Sequence, residues 1–191
     1  MPPKARIARE NILAAAYAIA REQGAEQINA RTISRRLGCS TQPVLYHYDH
    51  IEDIRREVYR MADEYQKECL MQIPDDANPM MAIGLNYIRF AAKEKLLFRL
   101  LFQTDSFQGQ GLAQLMDSPE LLPLLDVFQK EAGLTMEQTK QVFKALFLLV
   151  HGYASMLANN TMLYDEEEAE QMLNRVFVGM IDAIRREEAE K

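Results

Sequence analysis

The chain has 191 residues, 48% hydrophobic and 26% charged, with a formal net charge of −6. That is ordinary composition for a globular protein with one sizeable core, or with a small module joined to a medium one. No uncharged apolar run of about 18 residues occurs, which argues against a transmembrane helix, and Met1–Arg6 does not lead into the apolar run of a signal peptide. Cys39 and Cys69 stand far apart in no CxxC pattern, as expected of two free thiols in a reducing cytoplasm.

The charge is unevenly spread. Residues 1–50 carry seven Lys and Arg against four Asp and Glu, a net +3, and the remainder carries −9. A basic head on an acidic body suits a chain in which the head alone meets phosphate.

No strand-like alternation and no repeat appears, and Pro and Gly fall at boundaries, so the expected fold is all-α. The first helix is expected over about 7–23, with Ile12, Ala16 and Ile19 at helical spacing, Leu13 and Ala20 widening the stripe, and Gly24 ending it. Asn29 is the N-cap of a short second helix that turns Ile33 and Leu37 inward and stops at Gly38. Ser40 is the candidate N-cap of a third, with Thr41, Gln42 and Pro43 in its first turn and an end near His47. The fourth runs over about Ile51–Met71 on Ile54, Val58, Met61 and Tyr65.

Asn78-Pro79 opens a fifth helix carrying Ile83, Tyr87, Phe90 and Ala91, and another covers Lys95–Gln103. Thr104–Gly111 reads as a loop, and Ser118-Pro119 opens a helix that Gly133 ends. Thr135–Gln138 has the capping-box pattern ahead of a long helix to about Asn159, and Asp165 with three glutamates opens the last, to about Glu188.

Two short helices joined by a glycine-containing turn, over residues 28–54, form the helix-turn-helix pattern. Its first helix must bury Ile33 and Leu37, and its second must project short polar side chains into the major groove. Thr41, Gln42 and Tyr46 have that chemistry: Gln42 suits adenine edges, Thr41 a base or a phosphate, and Val44 or Pro43 a thymine methyl.

Through the Ile28-Asn29 entry, Ile33, the Leu37-Gly38-Cys39-Ser40 turn, His47-Tyr48 and Glu52-Asp53-Ile54, the chain resembles the TetR family of transcriptional regulators over about its first 55 residues. The rest agrees in length and helix order alone. The resemblance implies a helix-turn-helix head at 1–52 and a ligand-binding, dimerising domain at 53–191. It places Asn29 and Arg31 near phosphate, Ser40, Thr41, Gln42 and Pro43 at the opening of the recognition helix, and His47 in a phosphate-contacting role. Two residues depart from the family pattern: Leu45 replaces a usual tyrosine, with Tyr46 beside it, and Ile51 replaces a usual lysine.

His47-Tyr48-Asp49-His50 reads as a helix end with surface imidazoles rather than a metal site, since no further ligand stands at suitable spacing. No cofactor is expected. Arg35 and Arg36 are either phosphate contacts or a solvated face, and Lys4, Arg6 and Arg9 are either a DNA-contacting arm or a frayed terminus. The helix over Thr139–Ala158 is apolar nearly all round and the last helix has a wide apolar face, so each needs cover on more than one side. With Gly152, Ala154, Ala158, Gly179 and Ala183 allowing close approach, a homodimer through these two helices is expected, matched to a palindromic double-stranded DNA operator. Through the resemblance, Tyr87, Phe90, Phe98, Phe102, Phe107, Met116, Phe128, Phe147, Met156 and His151 are candidates to line an effector pocket; residue by residue, plain core packing is the alternative.

The function expected is therefore a cytoplasmic, ligand-responsive repressor that acts by population shift, helix four carrying the change. No P-loop, nucleophile elbow or zinc signature suggests an enzyme. The remaining alternative is a helical protein–protein interaction module without specific DNA binding, against which stands the polar Thr41-Gln42-Pro43.

Overall fold

The computed structural model describes residues 7–103 and 111–190. Lys4, Arg6, Phe107 and all but the last residue of the loop expected over Thr104–Gly111 lie outside them. Among the described residues the chain forms ten α-helices and no strand: α1 (Arg9–Gln23), α2 (Ala30–Leu37), α3 (Gln42–His47), α4 (Ile51–Leu70), α5 (Pro79–Lys93), α6 (Lys95–Phe102), α7 (Leu112–Met116), α8 (Leu122–Ala132), α9 (Met136–Asn159) and α10 (Glu166–Ala189), with a 3₁₀ turn at Ala25–Gln27. The expected all-α architecture is the one observed.

Packing divides the chain into two units, the described parts of Met1–Lys67 with Glu94–Thr104, and of Glu68–Lys93 with Asp105–Lys191. The head expected at 1–52 lies wholly inside the first, which adds α4 up to Lys67 and α6.

In the first unit α1 is the supporting helix. It buries Ile12, Ala15, Ala16, Ile19 and Ala20 against α2, α3, α6 and the 3₁₀ turn. Gly24 ends it at φ +103°, its N–H donating to the Ala20 carbonyl. The Asn29 side chain accepts from the N–H groups of Arg31 (3.1 Å) and Thr32 (3.0 Å), and Thr32 Oγ1 accepts from the Asn29 N–H, a reciprocal capping box. At the other end of α2, Gly38 is left-handed, and the Cys39 N–H reaches back to the Ser34 carbonyl at 3.0 Å, the bond that closes a helix end through glycine. Four residues then lead to α3.

The buried stripe of α4 is Ile54, Val58, Ala62 and Gln66, each one turn from the next. Met61 and Tyr65, expected in that stripe, flank it. The Tyr65 hydroxyl instead donates to Glu94 (3.4 Å), which also pairs with Arg21. Glu94 immediately precedes α6, whose Leu97, Phe98 and Leu101 are buried.

The second unit is built round α9, packed by α5, α8 and α10. Thr135 and Gln138 form the expected capping box, and Asp165 caps α10 by accepting from the Glu168 N–H at 3.0 Å. α5 buries most of its length, and a Cβ at Gly84 would sit 3.2 Å from Leu173 and 3.5 Å from Val150, so glycine there lets three helices meet closely. Asn86, buried on α5, donates to the carbonyls of Leu70 (3.1 Å) and Gln72 (3.0 Å), and its own oxygen accepts from Arg89. The helix expected to open at Ser118-Pro119 starts later, at Leu122; Pro123 sits in its first turn, where a missing N–H loses no partner.

α9 is long and apolar enough to cross a membrane by length and composition alone. A core helix meets the same criterion, and α9 buries Val142, Leu146, Val150, Tyr153 and Leu157.

The backbone at Gly24 lies in a region that a residue with a Cβ rarely adopts, so Gly24→Ala is expected to destabilise the chain by about 1–3 kcal/mol. Urea denaturation should show a lower midpoint at unchanged slope; an unchanged midpoint would mean that α1 ends equally well without glycine.

Candidate nucleic-acid interface

A six-residue helix has one side to bury, and α3 spends it on Val44, 1% exposed, followed by buried Tyr48 just past its end. That leaves Gln42, Leu45 and Tyr46, at i, i+3 and i+4, on one open face. Leu45 is 62% and Tyr46 70% exposed. The Tyr46 ring stands edge-on to the His47 imidazole at 5.3 Å. Pro43 and Thr41 are half-buried and Ser40 is exposed. The N-cap of α3 is Thr41, without a side-chain bond, where Ser40 was expected. Of the two candidates for a thymine methyl, Val44 is in the core and unavailable.

The cations near α3 differ in what they are committed to. Arg36 makes a two-pronged pair with Glu22, both bonds 2.7 Å. Arg31 and Arg35, one turn apart on α2 and both exposed, have no acidic partner among the described residues. The open question over Arg35-Arg36 thus divides: Arg35 is available to a phosphate, Arg36 is engaged. At the start of α4, Ile51 is followed by Glu52 and Asp53, which pair with Arg55 and Arg56.

His47 is engaged as well. Its Nε2–H donates to the Ile7 carbonyl at 2.9 Å, fastening the chain ahead of α1 to the end of α3. Arg9 is not part of a loose arm: it opens α1, lies over the Tyr48 ring at 4.9 Å and pairs with Glu57.

No protein-family model and no curated protein matches the sequence. Solved structures do. A transcriptional regulator from Rhodococcus sp. RHA1 aligns over 91% of this chain and 96% of its own, with a TM-score of 0.59 at 17% identity. A TetR transcriptional regulator from the same organism aligns over the same shares, with a TM-score of 0.51 at 15% identity. The chain has the TetR-regulator fold. At this level of identity the likeness is one of fold, and the side chains must be read on their own.

Within the TetR-type fold, the residues expected to line a pocket fall into two sets. Phe98 and Phe102 meet with their rings tilted, centroids 4.9 Å apart, in the first unit. Tyr87, Phe90, Met116, Phe128, Phe147, His151 and Met156 belong to the second. There Tyr87 and His151 share a hydrogen bond, hydroxyl to Nδ1, of 2.8 Å. Phe147 stacks on His151 at 5.5 Å and meets Tyr87 edge-on at 6.4 Å. Phe143, which was not singled out for a pocket, continues the row: it stacks on Phe147 at 6.2 Å and lies 5.8 Å from Phe128. Its spacing, four residues from Phe147 and eight from His151, was the available signal. Tyr87 and Phe90 are buried, whereas Met156 is exposed.

Burial pushes the Tyr87 phenol far up and lowers the His151 imidazole below its usual 6.5, because both charged forms lose water. The folded chain therefore protonates His151 less readily than the unfolded chain, which does so below about pH 6.5. Its contribution to stability is complete above that value and is lost as pH falls through the lowered folded one. In urea denaturation from pH 7.5 down to 5.5, wild type should lose more stability than His151→Phe; equal losses would refute the assignment.

Proposed function

We propose that the chain is a DNA-binding transcriptional regulator, a ligand-responsive repressor that binds a palindromic operator as a homodimer. The observation that carries the reading is the open face of α3, with Gln42 at its start. It stands in a small helical unit whose Arg31 and Arg35 are free to meet phosphate. Gln42 offers the donor–acceptor pair that matches adenine N7 and N6 in the major groove. Asn29, Arg31, Ser40, Thr41 and Pro43 flank the same entry, and Tyr46 and His47 close it. His47 reaches a phosphate by releasing Ile7, so that its Nε2–H donates to the phosphate oxygen instead of the carbonyl.

Dimerisation is supported by apolar surface on α9 and α10. Leu148 and Met156 are exposed on α9 and Val178 on α10. The small residues divide into two kinds: Ala154 and Ala158 are buried inside the chain, while Gly152 and Gly179 face open space, where a Cβ would meet nothing within 4 Å. Glycines that no internal neighbour requires, beside exposed Leu, Met and Val, suit the close approach of a second copy. An effector acts on such a dimer only through its differential affinity for operator-competent and incompetent states. The Tyr87–His151 pair with Phe147 and Phe143 is the proposed polar-and-aromatic contact set, and the compartment is the cytoplasm.

Duplexes enriched from a random pool by the full chain should be palindromic and bound with a steep salt dependence. Gln42→Ala should lose about 1–3 kcal/mol of discrimination at one base pair per half-site. Arg31→Ala should weaken all duplexes alike and reduce the salt slope by about 1. Failure to enrich any duplex would sink the reading.

Gly152→Arg is expected to convert a dimer into a folded monomer in sedimentation. A wild-type chain that sediments as a monomer at all concentrations would remove the dimer from the proposal.

A further inference from the structure

The open face of α3 holds a side chain that hydrogen-bonded readout does not use. Leu45 has its isobutyl group largely in water, while Val44, one residue earlier, is fully withdrawn. A lone exposed leucine is ordinary on a protein surface; its company is what gives this one meaning. Gln42 stands one turn before it, and Tyr46, anchored edge-on to His47, stands beside it. Whatever duplex face Gln42 reaches, Leu45 meets too.

We propose that Leu45 is a specificity-determining residue that packs on the C5-methyl of one thymine in each half-site, adjacent to the base that Gln42 hydrogen-bonds. This rests on the DNA-binding reading above. The major groove presents one apolar group, the thymine methyl, and its other base-edge features are donors and acceptors. Leu45 has no polar atom, so it makes no bond to phosphate or to a base edge. Discrimination works from both sides. Thymine gains an apolar contact. Cytosine in its place brings an amino donor that leucine desolvates without pairing, a penalty rather than a mere loss. Because Leu45 contributes little to the core, its truncation changes the reading surface and leaves the fold intact.

The test uses the full chain and the duplexes it enriches. Each thymine is replaced in turn by uracil, which removes the C5-methyl and nothing else. One position per half-site should weaken wild-type binding roughly fourfold, the value of burying one such group. The same replacement should leave the affinity of Leu45→Ala unchanged, and Leu45→Ala should accept cytosine there more readily than wild type does. Tyr46→Phe should keep the uracil effect. If wild type is indifferent to every uracil while Gln42→Ala still loses discrimination, the DNA reading stands and the role of Leu45 falls. If no duplex is enriched, both fall, and Leu45 with Tyr46 becomes a docking patch for another protein.

Discussion

A helix of six residues has no stability of its own, since nucleation consumes most of what its few hydrogen bonds return. α3 exists because Val44 and Tyr48 are buried against its neighbours and because Gly38 turns the chain through a left-handed conformation that most residues adopt only with strain. That anchoring decides which side chains look outward. With Val44 inside, Gln42, Leu45 and Tyr46 have nowhere to point but away from the core. A rotation of α3 by one residue would bury Leu45 and expose Val44, and the outward chemistry would be different. The capping box at Asn29 and Thr32 works on the same geometry from the other side, since it fixes where α2 begins and hence where Gly38 falls.

The head was the legible part of the chain. Its signals are local: a cap at Asn29, glycines at 24 and 38, Pro43 tolerated in a first turn, and Ile12, Ile19, Ile33 and Ile54 at helical spacing, all with zero or near-zero exposure. Helix boundaries in the second unit were read nearly as well at α5, α9 and α10, where Asn78, Thr135 and Asp165 mark the starts. The start of α8 was missed because Pro119 and Pro123 each give a first-turn signal and nothing local chooses between them. α7 carries no periodicity that five residues can display.

Partnerships between side chains distant in sequence were not legible. Arg36 and Arg35 are adjacent and chemically identical, yet Glu22 engages one and leaves the other. For Arg9 the sequence leaves an arm and a frayed terminus equally open, and only Tyr48 and Glu57 beside it decide against both. The aromatic residues show the same limit. Phe98 and Phe102 belong to the unit that α1 organises, because α6 packs on α1 and the 3₁₀ turn; composition alone could not separate them from the Tyr87–His151 group.

Asn86 has a consequence for how this architecture tolerates change. Its amide holds the Leu70 and Gln72 carbonyls from α5, so the end of α4 is clasped before the chain enters the Pro74–Asn78 connection. The start of the connection is thus held by side-chain bonds to the Leu70 and Gln72 carbonyls. Insertions after Ile73 lengthen a loop whose ends are already fixed, at a slowly growing entropic cost. The connection can therefore change in length and sequence while Asn86 keeps its hold on the two carbonyls that precede it.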